Sequence, residues 1–420
     1  MKSTRRSYFL LLILLLHFAW LHAENSFYLK EGDRVVFYGD SITDQRLYTG
    51  FVESYVLTRF PQLNVSFVHS GWGGDRVTGG GGGKIDERLR RDVIAYKPTV
   101  VTIMLGMNDG GYKAFDPELF NTFANGYRHI IQTLKEGLPG VRITVIQPSP
   151  YDDVTRPAAF EGGYNAVLFR YGNFIKQLAQ EEGLQVADLN TPVVAALERA
   201  KATDPALAQR IVPDRVHPGP GGHLVMAAAL LKAWNAPAMV SSVQIGTVQG
   251  RVAGKEAVNA EVSDLSPGNA LSWTQTDKAL PMPYDMTDSP LALAVRSSDV
   301  VESVNRQPLT VKDLTVTRYT LKIDGEEVGI FTKEQLAAGI NLARLATPMS
   351  KQAMAVHALT GKHNLIHFAR WRQVQVPLQN DSSAYMQKAV EALDTLEADL
   401  IRQQRAAAQP KPHKFELVPQ

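Results

Sequence analysis

Cysteine is absent from all 420 residues. This excludes disulfides, lipid attachment through an N-terminal cysteine and thiolate metal sites. An excess of charge of one sign is also missing: 44 basic and 42 acidic residues leave a net charge of +2. No basic tract with interleaved aromatics occurs, so nucleic acid is not an expected partner. There is no internal repeat and no long apolar run. Tyr8 to Leu16 falls short of the ~20 residues that a membrane span needs, and His17 and His22 interrupt the stretch behind it. That short run sits behind Lys2, Arg5 and Arg6 and ahead of the small residue Ala23, which is the order of a secretory signal. The expectation is an exported protein, periplasmic or secreted, that loses residues 1–23 and keeps no stable membrane span. Leu21, third before the cut, is less usual there than alanine.

The remaining chain, 45% hydrophobic and 20% charged overall, is long enough for more than one packed unit. From Arg34 to about Ala238, apolar runs at Val35–Tyr38, Val65–His69, Thr99–Leu105, Arg142–Gln147 and Gln185–Leu189 alternate with amphipathic helical patterns such as Phe120–Lys135 and Tyr164–Glu182. Regular strand and helix alternation predicts a parallel sheet covered on both faces, with ligands gathering at the carboxyl ends of its strands. Residues 239–350 change texture to Val, Thr, Ser, Gly and Pro, and the stretch Arg318–Phe331 predicts a hairpin turning at Asp324-Gly325. A β-rich accessory module is expected there. Residues 351–420 are expected to be a helical segment with a tail, its last helix capped by Ser382 or Ser383. The whole then divides as a signal at 1–23, an α/β domain at 24–238, the β-rich module at 239–350 and the helical segment at 351–420.

Four short patches fall at the predicted loops. Gly39-Asp40-Ser41 follows the first strand, Gly71-Trp72-Gly73-Gly74-Asp75 the second, Gly106-Met107-Asn108-Asp109 the third, and Asp214-Arg215-Val216-His217 precedes a late helix. A serine needs a base at neutral pH, and His217 suits that role. Asp214, three residues upstream, can hold the imidazole in its reactive tautomer. The Ser41 N–H, the Gly74 N–H and the Asn108 side-chain amide can supply donors to an oxyanion. Asp40 and Asp75 are expected to brace their loops. Trp72 either stacks on a sugar ring or covers an acyl pocket. The glycine run 79–83 is expected to form a mobile lip beside the site. His223 is expected to be structural. His363 and His367, one helical turn apart without a carboxylate partner in sequence, are expected on a helix surface rather than on a metal.

These four patches, in this order, resemble the SGNH (GDSL-like) hydrolase family over roughly residues 30–236. The resemblance implies a three-layer α/β/α flavodoxin-like fold and metal-free, cofactor-free hydrolysis of esters through an acyl-enzyme on Ser41. One departure is His69, which stands where the family's second block often starts with asparagine. Export removes cytoplasmic acyl-CoA from the family's substrate range, and the added β-rich module is more expected of a polysaccharide-directed enzyme. The leading expectation is therefore a carbohydrate O-acetylesterase acting on a small-molecule or polysaccharide ester. A lipase or lysophospholipase would carry an apolar lid, whereas residues 70–85 are dominated by glycine. A catalytically silent glycan-binding protein is the reading from another class, against which the intact Ser41, Asn108, Asp214 and His217 stand. Nothing in the chain specifies an oligomeric state.

Overall fold

The computed structural model describes residues 26–248, 251–267, 270–381 and 383–420; the expected signal at 1–23 and the cap candidate Ser382 lie outside them. Five parallel strands form the first sheet: β1 (Arg34–Gly39), β2 (Ser66–Gly71), β3 (Val100–Met104), β4 (Arg142–Ile146) and β5 (Gln185–Ala187). Their spatial order is β2-β1-β3-β4-β5, the flavodoxin-like order, in which the crevice at the β1/β3 switch point lies beyond the strand ends. Val35 to Tyr38 and Val100 to Val101 are all buried, because helices cover both faces and leave no strand side for water.

The first helices come directly after the strands. α1 (Ser41–Asp44) is a single turn capped by Asp40, whose Oδ1 accepts the Ile42 N–H at 3.0 Å. α2 (Leu47–Arg59) is buried along nearly its whole length. α3 (Ile85–Asp92), α4 (Pro117–Gly137) and α5 (Gly163–Glu182) pack in sequence, α4 opening on an Asp116 cap with Pro117 at its start and α5 ending at left-handed Gly183. α6 (Thr191–Thr203) and α7 (Pro220–Ala233) pack on each other, and α7 packs on α2.

Beyond α7 lies a second hydrophobic core between two further sheets. The strands are β6 (Ser242–Val248), β7 (Arg251–Val258), β8 (Ala260–Ser266) and β9 (Leu271–Asp277). After helices α8 (Ser289–Arg296) and α9 (Val300–Val304) come β10 (Pro308–Lys312), β11 (Arg318–Ile323), β12 (Glu326–Thr332) and β13 (Ile340–Asn341). The expected hairpin is β11–β12; Asp324 and Gly325 both have positive φ, as a type I′ turn requires. Tyr319, Leu321 and Ile323 form its buried face.

Two boundaries differ from those expected. α8 and α9 lie within the span expected to be β-rich, yet their Leu291, Ala294, Val300 and Val304 join the core of the α/β domain because both helices pack on α7. The expected tail is instead strand β14 (Pro412–Pro419), inserted between β9 and β11 to give the order β8-β9-β14-β11-β12. It alternates: Phe415 and Leu417 are buried, while their neighbours are not. Phe415 stacks on Trp273 with ring centroids 5.1 Å apart.

The chain reaches β14 through two long helices, α10 (Pro348–Phe368) and α11 (Ala384–Ala407), which pack on each other and, through α10, on α2. α11 is capped by Ser383. The expectation that His363 and His367 lie on a surface is corrected: both are buried. His363 donates through Nδ1 to Glu53 Oε1 at 2.9 Å and through Nε2 to Glu397 Oε1 at 3.1 Å. Both carboxylate partners come from other helices, hundreds of residues back or one helix ahead, so no local sequence pattern announces them. Burial alone would discharge His363, but the flanking Glu53 and Glu397 carboxylates win and hold its pKa up at about 10. Burial opposes the charge on Glu53 as well, and His363 keeps that carboxyl far below its usual range. His69 faces the same carboxylate at 2.9 Å, yet burial, together with charged His363, pushes its pKa down against the pull of Glu53.

Phe415→Ala removes half of a buried aromatic stack from a central strand and should lower stability by about 3–5 kcal/mol, read as a lower denaturant midpoint; a change below about 0.5 kcal/mol would mean that β14 is not part of this core. The raised pKa of His363 stabilises the fold fully below its ordinary value of 6.5, and this contribution is lost as pH rises through about 10. The melting-temperature gap between wild type and His363→Gln should therefore be widest near about pH 6 and shrink toward about pH 10; a gap independent of pH would contradict the ion pair.

Candidate active site

Ser41 is the first residue of α1, and its N–H therefore has no intrahelical acceptor. Its Oγ lies 2.9 Å from His217 Nε2, and His217 Nδ1 lies 2.7 Å from Asp214 Oδ2. The two carboxylate oxygens of Asp214 divide the work. Oδ1 accepts the backbone N–H groups of Val216 at 3.0 Å and His217 at 2.7 Å, which folds the loop, while Oδ2 is left to orient the imidazole. Partial burial works against the Asp214 charge, but the hydrogen bonds from the His217 and Val216 N–H groups and the His217 ring outweigh it and hold the carboxyl below its usual value. Between them Arg215 adopts φ +74°, an unusual left-handed conformation for a side chain of this size. It is tied at both ends, its carbonyl accepting Asp152 N–H at 2.9 Å and its guanidinium donating to Pro157 O at 2.8 Å.

The two other groups expected as donors lie beyond the next two strand ends. Gly74 has φ +77°, with open space where a Cβ would stand, so glycine is favoured there by backbone conformation rather than crowding. Asn108 is buried, and its Nδ2 donates to the Asp75 carbonyl at 3.0 Å, which ties the third loop to the second and leaves one N–H of the amide available. Asp109 Oδ1 accepts the Val77 N–H at 2.9 Å, a second tie between the same loops. Burial raises the Asp109 carboxyl to about 6, and burial with the nearby Asp109 and Asp75 charges raises Asp40 to about 7.

Asp75 braces its loop through Arg88, whose Nε donates to Asp75 Oδ2 at 2.8 Å. Arg88 is fully buried. It also donates to Ser70 O at 3.0 Å and pairs with Asp92. Asp92 in turn accepts the Trp371 indole N–H at 2.6 Å. Trp371 sits where α10 runs on into a wide turn over Ala369–Gln375, with the Val376 N–H bonded five residues back to Trp371 O. The same turn lays the Arg372 guanidinium 3.0 Å from the centre of the Trp72 ring.

Of the two roles expected for Trp72, stacking on a sugar ring needs an open face that the ring does not have. It is only 8% exposed, covered by Arg372, with Trp371 edge-on at 5.7 Å. It fastens the loop carrying Gly74 to the C-terminal helices. The glycine run beside it is not a loose lip either: Gly79–Gly80 and Gly83–Lys84 pair as a small hairpin, and a Cβ at Gly82 would strike Trp72 Cδ2 at 2.6 Å and Arg88 Cδ at 2.8 Å. His69 packs behind this loop by joining Thr49 Oγ1 at 2.7 Å to Glu53. His223 is structural as expected; burial keeps it neutral, down at about 3, with Nδ1 accepting Tyr48 N–H and Nε2 facing Gln45.

A parallel α/β/α sheet with a serine, a histidine and an aspartate hydrogen-bonded in series at its strand ends defines a hydrolase-type site. The family model for the GDSL-like lipase/acylhydrolase family matches residues 37–225. An acetylxylan esterase from Geobacillus stearothermophilus is 30% identical over 224 residues, which is 48% of this chain and 93% of that protein. Among solved structures, a gut microbial diltiazem-metabolizing enzyme superposes with a TM-score of 0.75 at 25% identity, covering 94% of this chain and 99% of its own. A crystal structure of an acetylxylan esterase from Geobacillus stearothermophilus covers 49% of this chain and 96% of its own, with a TM-score of 0.40 and 25% identity. The chain belongs to the GDSL-like lipase/acylhydrolase family.

Arg88, Asp92, Trp371 and Arg372 support the site without having been expected there from sequence. In Ile85-Asp-Glu-Arg-Leu-Arg-Arg-Asp92 the only cue is the i,i+4 pairing of Arg88 with Asp92, a pattern that usually marks a solvated face. Arg88→Met leaves Asp75 buried without its ion-pair partner, while Asp92 keeps Arg91 at 2.7 Å, and should cost about 3–5 kcal/mol of stability. Ester turnover at a temperature where the variant is folded should also fall, with kcat dropping more than KM rises. Unchanged unfolding and unchanged kcat would show that the guanidinium is dispensable to the loop.

Proposed function

We propose that this protein is a serine esterase that works through an acyl-enzyme on Ser41 and removes acetyl groups from carbohydrate. The observation that carries the reading is the unbroken series from Ser41 Oγ to His217 Nε2 at 2.9 Å and from His217 Nδ1 to Asp214 Oδ2 at 2.7 Å. In this mechanism His217 takes the Ser41 proton as Oγ attacks the acyl carbonyl, and ionised Asp214 stabilises the imidazolium. The Ser41 N–H, the Gly74 N–H and the free N–H of Asn108 Nδ2 receive the oxyanion. Collapse expels the alcohol with the proton from His217. Water, activated by the same imidazole, then releases the acid.

The acetyl-carbohydrate part draws on the likeness to an acetylxylan esterase and on the β-rich module. The whole-length likeness to a diltiazem-metabolizing enzyme favours a site that also admits small non-carbohydrate molecules. Export through residues 1–23 is part of the proposal, because it would place the enzyme with extracytoplasmic glycans.

Ser41→Ala should abolish turnover of an aryl acetate without shifting the melting temperature, and Asn108→Ala should lower kcat by about 10²- to 10³-fold. Acetate release from acetylated xylan should exceed release of long-chain acids from phospholipid. Full activity in Ser41→Ala would overturn the mechanism, and exclusive lipid hydrolysis would overturn the substrate.

A further inference from the structure

An aromatic side chain with no motif around it stands directly on the oxyanion residue. Tyr112 is 43% exposed and has φ +58°, a combination unusual for a bulky residue. Its ring packs beside Tyr164 at 5.1 Å and Tyr151 at 6.3 Å, and Tyr164 is itself fixed by a hydrogen bond from its hydroxyl to Met107 O at 2.6 Å. Held this way, the Tyr112 hydroxyl donates to Asn108 Oδ1 at 2.8 Å.

A primary amide has two N–H donors and one carbonyl oxygen, and its terminal torsion is soft. The Asp75 carbonyl can only accept, so it takes one Nδ2 hydrogen. The Tyr112 hydroxyl takes the oxygen side. With both ends occupied, the second Nδ2 hydrogen is left with a single direction. A hydrogen bond donated to Oδ1 also polarises the amide and strengthens its N–H as a donor.

We propose that Tyr112 is a positioning residue of the esterase site, its hydroxyl locking the Asn108 amide so that the free N–H faces the developing oxyanion. This rests on the serine-esterase reading above. The phenol can hold the role across the neutral range: burial, followed by the fields of Asp40, Tyr151 and Asp214, pushes its pKa up to about 12, so it remains a donor.

Tyr112→Phe keeps the ring and removes the hydroxyl. On an aryl acetate, kcat should fall about tenfold with KM changed by less than about twofold, and the melting temperature should stay put. In an Asn108→Ala background the same substitution should cost nothing further, because the group it positions is gone. Wild-type kcat in Tyr112→Phe, or an equal loss with and without Asn108, would overturn the proposal. Any loss from misfolding appears in both backgrounds and is thereby separated from positioning. If Ser41→Ala is inactive while Tyr112→Phe is normal, only the positioning role fails; if Ser41→Ala is active, the esterase reading itself fails.

Discussion

The hydrogen bond between Ser41 Oγ and His217 Nε2 joins residues 176 apart in sequence, and it can persist only if two loops at the same sheet end are held in fixed register. The serine side is fixed by the shortest means available, a single helical turn capped by the preceding aspartate. The histidine side has no regular structure, so it is held by hydrogen bonds from all sides: Asp214 from within the loop, Asp152 and Pro157 through Arg215. The acid that orients the imidazole also folds the loop that carries it. Position and chemistry therefore depend on one carboxylate.

The loop that carries Gly74 and Asp75 uses buried charge. Arg88, placed among Asp75, Asp92 and the Ser70 carbonyl, is costly to desolvate, and that cost is offset only while every partner stays in place. One of those partners, Asp92, is engaged by Trp371 of the C-terminal helices. Glu53 repeats the pattern behind the sheet: a carboxylate from α2 takes hydrogen bonds from His69, His363 and Gln404. The helices after the β-rich module are thus part of the support of the sheet end that carries Ser41 and Gly74. The whole-length likeness to a diltiazem-metabolizing enzyme extends over this added portion too.

How much of this is visible in the sequence depends on whether the determinant is local. The five strands, the Asp324-Gly325 turn and the patches at Ser41, Asn108 and Asp214–His217 are legible because each is set by a few neighbouring residues with a distinct pattern. β14 is not, since Pro412-His-Lys-Phe-Glu-Leu-Val-Pro419 comes after a polar helix and gains its strand character from β9 and β11 on either side. Trp72 misleads for the same reason: an aromatic ring next to glycines looks available until a guanidinium from residue 372 covers it. His363 has no carboxylate nearby in sequence, and its partners arrive only on folding. Tyr112 carries no local signal beyond its place after Gly110-Gly111.

Ser41 is, on this account, a nucleophile activated by the imidazole beside it. The most direct measurement is peptide mapping by mass spectrometry after reaction with an aryl phosphonate ester. The account predicts one adduct per chain, on the peptide containing Ser41, forming in step with loss of esterase activity. An adduct on another residue, or full inactivation with Ser41 unmodified, would contradict it.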